Sequence, residues 1–271
     1  MQLDHWGLDR PPFAVAGGVD QFYPSAGHDE ALARLDYLVD TRRRLGVLVG
    51  EAGVGKSLTL RVAARRLARQ GAAVVAIDAT GTGTRDFFWQ LAAGLGTAPR
   101  DEAEVGRLWR LVADRVVENR LAQVATVLLV DDAGQAGPDV FTHLVRLARL
   151  DPSPAARWTI VLAAEAAQAA RWSEPVRELV DLRIDLGPWS EEDSIGFVQT
   201  ALVDAGRFDP VFDDDALRAI HELSGGVPRR VARLAEFALL AGAAAEMQSL
   251  DAATVHAAFD ELRWPAPEPA Y

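Results

Sequence analysis

The sequence predicts an α/β domain with a parallel sheet, followed by an all-helical domain. Five short apolar runs rich in Val, Ile and Leu lie in the first part of the chain. They are LGVLVG (45–50), VVAID (74–78), VLLVDD (127–132), WTIVLAA (158–164) and LRIDL (182–186). Runs that are apolar on both faces are typical of strands buried in a parallel sheet. Helical patterns separate the runs, and strands that alternate with helices indicate an α/β fold with right-handed crossovers.

The helices follow from apolar residues at helical spacing. In the α/β part we expect helices at 29–44, 57–70, 84–95, 103–123, 138–150 and 165–180. The alternation stops near residue 187, where Ser190 and Asp193 resemble a capping box at a helix start. From there we expect helices at 190–205, 213–223, 228–243 and 251–262. The predicted domains are 1–188 (an irregular N-terminal segment plus the α/β domain), 189–262 (helical) and 263–271 (a Pro-rich disordered tail).

Composition restricts the function before any motif is considered. The chain has 271 residues, a net charge of −11 and no cysteine, which excludes disulfides and thiolate metal sites. We find no signal peptide and no apolar stretch long enough for a transmembrane helix, so we expect a cytoplasmic protein. The acidic charge argues against broad binding to nucleic acid. The basic run Arg42–Arg44 is interpreted as a solvated helix end, where cations offset the helix dipole.

A phosphate-binding loop is predicted at GEAGVGKS (50–57), between a strand and a helix. Its glycines let the backbone curl so that successive N–H groups face phosphate oxygens, and the next helix presents its N-terminal amides to the same anion. Lys56 is the only lysine in the chain, and we expect it to contact the β- and γ-phosphates while Ser57 binds Mg²⁺. The alternative is a Gly-rich turn with a chance lysine. The predicted nucleotide contacts are Gly50, Glu51, Ala52, Gly53, Val54, Gly55, Lys56, Ser57 and Leu58.

Two acidic residues end the run VLLVDDAGQ (127–135). A strand of four apolar residues followed by an acid is the element that places a metal-coordinating aspartate in such NTPases, so Asp131 is the candidate Mg²⁺ ligand. Asp132 is the candidate for polarising the attacking water. The alternative is two acids that end a strand and open a turn.

The motif SGGVPRRV (224–231) places arginines in the first turn of a helix that begins at Pro228. Cations at a helix N-terminus oppose the dipole, so the placement indicates that the charge has a ligand there, such as a phosphate. The alternative is a surface arginine on a helix–turn–helix.

Taken in order, these motifs resemble the AAA+ ATPases, and specifically the ExeA-like secretion ATPase group. The opening HWGLDRPPFAVAGGVDQFYPSAGHDEALARL (5–35) is similar to that group's N-terminal signature. The resemblance implies a five-stranded parallel sheet with a four-helix lid, and ATP with Mg²⁺ as cofactors. It also implies that Phe22 and Tyr23 lie near the adenine.

The resemblance further implies roles for two arginines. Arg229, next to Pro228, matches the lid arginine that touches the γ-phosphate. Arg183 matches an arginine just before the last strand that enters the neighbouring subunit's site, with Arg177 as the second candidate. An arginine finger of this kind requires a homo-oligomer, either a ring or a filament. The alternative for Arg183 is a residue that simply flanks a strand.

Three departures from the family pattern leave the function open. Asp132 replaces the usual glutamate. The strand in TIVLAAEAA (159–167) ends in alanines, where family members often have a polar residue that orients water, and Glu165 is the nearest substitute. The sequence also has neither the membrane segment nor the cell-wall-binding domain of the secretion ATPase. We therefore consider three functions: an ATPase that remodels an oligomer and an unidentified protein partner, a nucleotide-gated scaffold with little hydrolysis, and a DNA-binding ATPase similar to the transposition regulators TnsC and MuB.

Overall fold

The computed structural model describes residues 2–13 and 18–262, so the tail predicted at 263–271 lies outside the described residues. The chain divides into two compact units. One is the α/β unit, Ala26–Leu186. The other, the helical unit, combines the described residues before Ala26 with residues 187–262.

The elements follow the predicted order closely. The strands are β1 (Leu45–Val49), β2 (Ala73–Asp78), β3 (Thr126–Asp131), β4 (Trp158–Ala164) and β5 (Leu182–Asp185). The helices are α1 (Gln2–Trp6), α2 (Ala26–Asp40), α3 (Lys56–Arg69), α4 (Thr84–Gly94), α5 (Val105–Leu121), α6 (Pro138–Ala148), α7 (Ala166–Ala169), α8 (Glu174–Arg177), α9 (Glu191–Asp204), α10 (Asp214–Ser224), α11 (Pro228–Ala244) and α12 (Ala252–Leu262). Short 3₁₀ turns lie at Val19–Gln21 and Ala133–Gln135.

The sheet of the α/β unit has five parallel strands in the order β2-β3-β4-β1-β5, which confirms the predicted fold class. β1 and β4 are buried along their whole length, as expected for apolar strands inside a parallel sheet. All strands run the same way, so their carboxyl ends meet at one edge. Ligands bind at that edge in open α/β sheets.

Two predicted helix boundaries differ for local reasons. The segment 165–180 forms two short helices, α7 and α8, because Pro175 lacks the N–H that a continuous helix needs. Helix α2 ends at Asp40, and Arg42 adopts a left-handed φ of 58° that closes it. The run Arg42–Arg44 therefore follows the helix end instead of forming its last turn.

The N-terminal segment differs from the predicted domain division, because it packs into the helical unit. Trp6, Leu8 and Phe13 are buried in one core with residues of α9, α10, α11 and α12. The Trp6 Nε1–H donates to the backbone oxygen of Leu239, at 2.9 Å. A Cβ at Gly242 would lie 2.9 Å from the Trp6 ring, so α11 leaves room for the indole there. The helical unit is thus built from two distant parts of the sequence.

We expect Trp6→Ala to lower the free energy of unfolding of the helical unit by about 3–5 kcal/mol, the usual cost of a large cavity in a core. The substitution removes a fully buried ring and its hydrogen bond. Denaturant unfolding followed by fluorescence measures the loss. Phe208→Ala is the control in the same unit, since Phe208 is 80% exposed. A similar loss in both variants would contradict the core position of Trp6.

Candidate nucleotide-binding site

The phosphate loop connects β1 to α3 and depends on three glycines. Gly53 and Gly55 have φ values of 91° and 100°, in the left-handed region that L side chains avoid. Gly50 is required for space, because a Cβ there would lie 2.4 Å from the backbone oxygen of Leu186. The chain can therefore turn tightly enough for its amides to surround an anion at the start of α3.

Lys56 is the first residue of α3 and lies inside the loop. It is only 7% exposed, and its Nζ donates to the backbone oxygens of Gly50 and Glu51, each at 3.0 Å. These bonds hold the ammonium within the curve of the loop. The compact ammonium of lysine fits inside this loop, whereas the planar guanidinium of arginine would need a wider space.

Carboxylates gather at the carboxyl edge of the sheet beside this loop. Asp78 and Asp131 end β2 and β3 and are paired in register, while Asp132 and Glu165 directly follow β3 and β4. Asp78 is not among the site residues predicted from the sequence. The sequence does contain a sign of it, because the predicted strands 74–78 and 127–132 both end in aspartate, and parallel strands end at the same edge of a sheet.

Asp132 has the most perturbed environment at this edge. Burial, together with the carboxylates of Asp131, Asp78 and Glu165, raises the pKa of Asp132, and the Lys56 ammonium opposes that rise. The charges of the two predicted residues Lys56 and Asp132 therefore attract each other across the site. Asp132 adopts φ 45° and ψ 39°, a left-handed conformation in which aspartate and asparagine are favoured over glutamate. This geometry gives a physical reason for the short acid at the place where the family pattern has glutamate.

Glu165 is engaged in a local role. Its carboxylate accepts the backbone N–H of Gln168, and the Gln168 side chain accepts the N–H of Glu165, which caps α7. The Gln168 side chain also fills the space where a Cβ of Gly134 would lie. Glu165 therefore fixes the junction between β4 and the turn that follows Asp132.

The predicted Mg²⁺ ligands present oxygen atoms, the donor type that Mg²⁺ prefers. Ser57 is half-buried in the first turn of α3, and α3 packs against β3, whose last residue is Asp131. Asp131 Oδ1 accepts the N–H of Asp132 at 3.0 Å. Within residues 2–13 and 18–262 there is no cluster of three or more His, Cys, Asp or Glu that could hold a metal.

The remaining nucleotide candidates lie in the helical unit. Tyr23 packs edge-on against Trp189 and Phe197, with ring centroids 5.5 and 5.8 Å away, while Phe22 is half-buried. Burial and the carboxylates of Asp193 and Glu192 raise the pKa of Tyr23. The role of Phe22 and Tyr23 beside adenine stays a prediction.

The turn before α11 has the glycines that its geometry requires. Gly225 and Gly226 have positive φ values of 63° and 68°, and a Cβ at Gly226 would lie 2.3 Å from the backbone oxygen of Trp189. Pro228 is the first residue of α11 and Arg229, the second, is exposed. This position agrees with the predicted helix start, and the contact of Arg229 with phosphate stays a prediction.

The candidate finger Arg183 lies within β5 and not before it. β5 is an edge strand, and the exposed Arg183 pairs with Asp185 two residues along, with Nη2 at 2.7 Å from Oδ1. Arg177, the second candidate, is exposed at the end of α8. Both arginines are accessible, and the choice between them stays open.

The five-stranded parallel sheet, the loop between β1 and α3 and the helical unit together define the P-loop NTPase fold of the AAA+ type. Residues 39–170 match the protein family described as "AAA domain". The chain is 29% identical over 245 residues to General secretion pathway protein A of Aeromonas hydrophila, covering 89% of this chain and 45% of that protein. These matches confirm the predicted resemblance to the ExeA-like group of AAA+ ATPases. The chain spans less than half the length of this curated relative.

Solved structures show the same fold at low identity. Cdc6p from Pyrobaculum aerophilum has a TM-score of 0.73 and 17% identity, covering 95% of this chain and 72% of that one. The Aeropyrum pernix ORC2 protein has a TM-score of 0.70 and 15% identity, with 96% and 73% covered. The Thermotoga maritima RuvB branch migration motor has a TM-score of 0.62 and 15% identity, with 92% and 73% covered. In the described part of the chain, no helix is long and apolar enough to cross a membrane.

Proposed function

We propose that this chain binds ATP with Mg²⁺ and hydrolyses it in a homo-oligomer, so that the cycle remodels the oligomer and a protein partner. The main support is the position of Lys56, held inside the phosphate loop by bonds to the backbone oxygens of Gly50 and Glu51, with Asp131 and Asp132 at the end of β3 on the carboxyl edge of the sheet. In this proposal Lys56 neutralises charge on the transferred phosphoryl group, and Asp132 accepts a proton from the attacking water. Ser57 and Asp131 would hold the Mg²⁺, which supplies further neutralisation of phosphate charge.

The oligomer follows from Arg183, which we assign as the finger supplied to a neighbouring subunit. Its side chain is 62% exposed on the edge strand β5, where it pairs with Asp185 on its own strand. Exchanging that intrastrand pair for a phosphate costs little, because exposed ion pairs contribute less than about 1 kcal/mol.

The test is ATP turnover measured against protein concentration with Mg²⁺. We expect specific activity to rise with concentration for the natural protein and to stay at background for Arg183→Ala, with Arg177→Ala as the matched control. Mixing Arg183→Ala with Asp132→Asn should restore turnover, since the second protein supplies Arg183 to sites that retain Asp132. Turnover independent of concentration and unaffected by Arg183→Ala would refute the finger. Tight ATP binding without turnover would favour the nucleotide-gated scaffold.

A second candidate function, DNA binding, is supported by α3. This helix has four arginines and no acidic residue, and Arg61, Arg65 and Arg69 lie on one face at a spacing of four residues. Against it, Asp36 pairs with Arg66 at 3.0 Å and the net charge is −11.

Retention of duplex DNA as a function of salt tests this second candidate. We expect weaker retention and a smaller salt slope for the pair Arg61→Ala and Arg69→Ala if the face binds phosphates. The exposed pair Arg107→Ala and Arg110→Ala on α5 is the equal-charge control. Absence of retention by the natural protein at low salt would end this candidate.

A further inference from the structure

His28 lies beneath the phosphate loop, in the first turn of α2. It is 3% exposed, and its Nε2 lies 3.1 Å from the backbone oxygen of Val54. A carbonyl oxygen can only accept, so Nε2 bears the hydrogen and donates it. A histidine from a different helix is therefore bonded to the backbone of the loop that the sequence assigns to phosphate.

The neighbouring residue Gly55 provides a second, independent observation. A Cβ at Gly55 would lie 2.6 Å from the same Nε2, too close for any side chain. The imidazole thus fills the space directly under Gly55. Glycine at position 55 is therefore required for two reasons: it leaves space for the His28 ring, and it allows the positive φ of the loop.

The hydrogen bond also sets the direction of a loop amide. The peptide bond between Val54 and Gly55 is planar and trans, so its C=O and N–H point in opposite directions. Because the carbonyl points at His28, the N–H of Gly55 points away from it. Loop amides that point outward from such a support are the groups that bind phosphate oxygens.

We propose that His28 is a positioning residue for nucleotide binding, which holds the Val54–Gly55 peptide so that the Gly55 amide faces the phosphate. The inference rests on the proposed function, since it assigns a support to the same site. His28 itself does not contact the nucleotide. Without its hydrogen bond the peptide can rotate, and the loop loses one aligned donor.

The test is the Kd of a fluorescent ADP analogue for three variants of the full chain. His28→Leu keeps much of the ring volume but has no donor, and we expect Kd to rise by about 10-fold, the usual worth of one buried hydrogen bond. His28→Gln keeps an N–H at a similar reach, and we expect Kd within about 3-fold of the natural protein. His5→Leu is the control, because His5 Nε2 makes the same kind of bond to Met247 O in the helical unit, at 2.7 Å.

The outcomes separate this inference from the proposed function. Recovery by glutamine, with equal thermal stability of the leucine and glutamine variants, would support positioning by the donor. Natural affinity in His28→Leu, or equal losses in His28→Leu and His28→Gln, would overturn the positioning role while leaving the function intact. Absence of nucleotide binding by the natural protein would overturn the proposed function, and the positioning role with it.

Discussion

Replacing Lys56 with alanine is expected to lower ATP turnover by about 10²- to 10³-fold, the usual effect of removing one preorganised group that stabilises transition-state charge. The side chain lies within the loop, bonded to the backbone oxygens of Gly50 and Glu51, so its charge is already in place before nucleotide binds. We expect Lys56→Arg to be nearly as inactive, because the guanidinium is planar and wider than the ammonium. The same difference in shape explains why the chain has lysine at this position while its other Lys/Arg positions are all arginine.

Steady-state phosphate release and nucleotide affinity measure the Lys56 effect. Arg69→Ala is the control, since it removes a cation from the opposite end of the same helix. Thermal unfolding verifies that the variants fold. Turnover by Lys56→Arg within a few-fold of the natural protein would show that a charge at this place suffices and that compactness does not matter.

Asp132→Asn is expected to abolish turnover while slightly stabilising the protein. Asparagine keeps the shape and tolerates the left-handed backbone, so the substitution removes only the charge. Loss of a general base costs about 10²- to 10⁴-fold in rate. Removing the charge relieves repulsion from Asp131, Asp78 and Glu165, a gain below about 1 kcal/mol after solvent screening.

The pH dependence gives the Asp132 prediction a second measurement. The folded-state pKa lies above the ordinary value of 3.8, so between the two the folded protein binds more protons than the unfolded chain. The contribution of Asp132 to the free energy of unfolding therefore falls as pH rises through this window, and its destabilising effect is complete above the folded-state pKa. Turnover needs the carboxylate, so it should fall with acid at a pH above 3.8.

As pH rises above 3.8, the turnover of the natural protein should thus rise, and the stability of Asp132→Asn relative to the natural protein should rise with it. Asp114→Asn, an exposed acid on α5, is the control for a general change of charge. An asparagine variant that turns over ATP at the natural rate would exclude Asp132 as the base. A variant less stable than the natural protein at pH 7 would contradict the repulsion.

The α/β unit could be predicted from the sequence because its signals are local. Each strand is an uninterrupted apolar run, and the loop motif lies between a strand and a helix, so strands and loop fall within a residue or two of their predicted places. Asp131 and Lys56 were selected for the same reason. Asp131 and the loop that contains Lys56 can also be placed together from the sequence, because the carboxyl ends of parallel strands lie at the same edge of a sheet.

The features that could not be predicted depend on contacts between distant residues or on backbone geometry. Nothing near Trp6 indicates that its ring packs on α11, more than two hundred residues later. No sequence pattern indicates the left-handed backbone at Asp132. From the sequence alone, aspartate at this position is therefore a departure from the family's glutamate with no structural reason. His28 was visible in the N-terminal signature, but its bond to Val54 requires the folded loop.

The division of the helical unit between the two parts of the chain also affects how the protein folds during synthesis. Trp6, Leu8 and Phe13 leave the ribosome first, yet their partners lie beyond Gly187. At about 5–20 residues per second, roughly 10 to 50 s pass before those partners are made. During that interval the α/β unit can complete its sheet, while the side chains of Trp6, Leu8 and Phe13 have no core to pack into. This nascent segment is therefore where we expect a chaperone that recognises exposed apolar residues to bind.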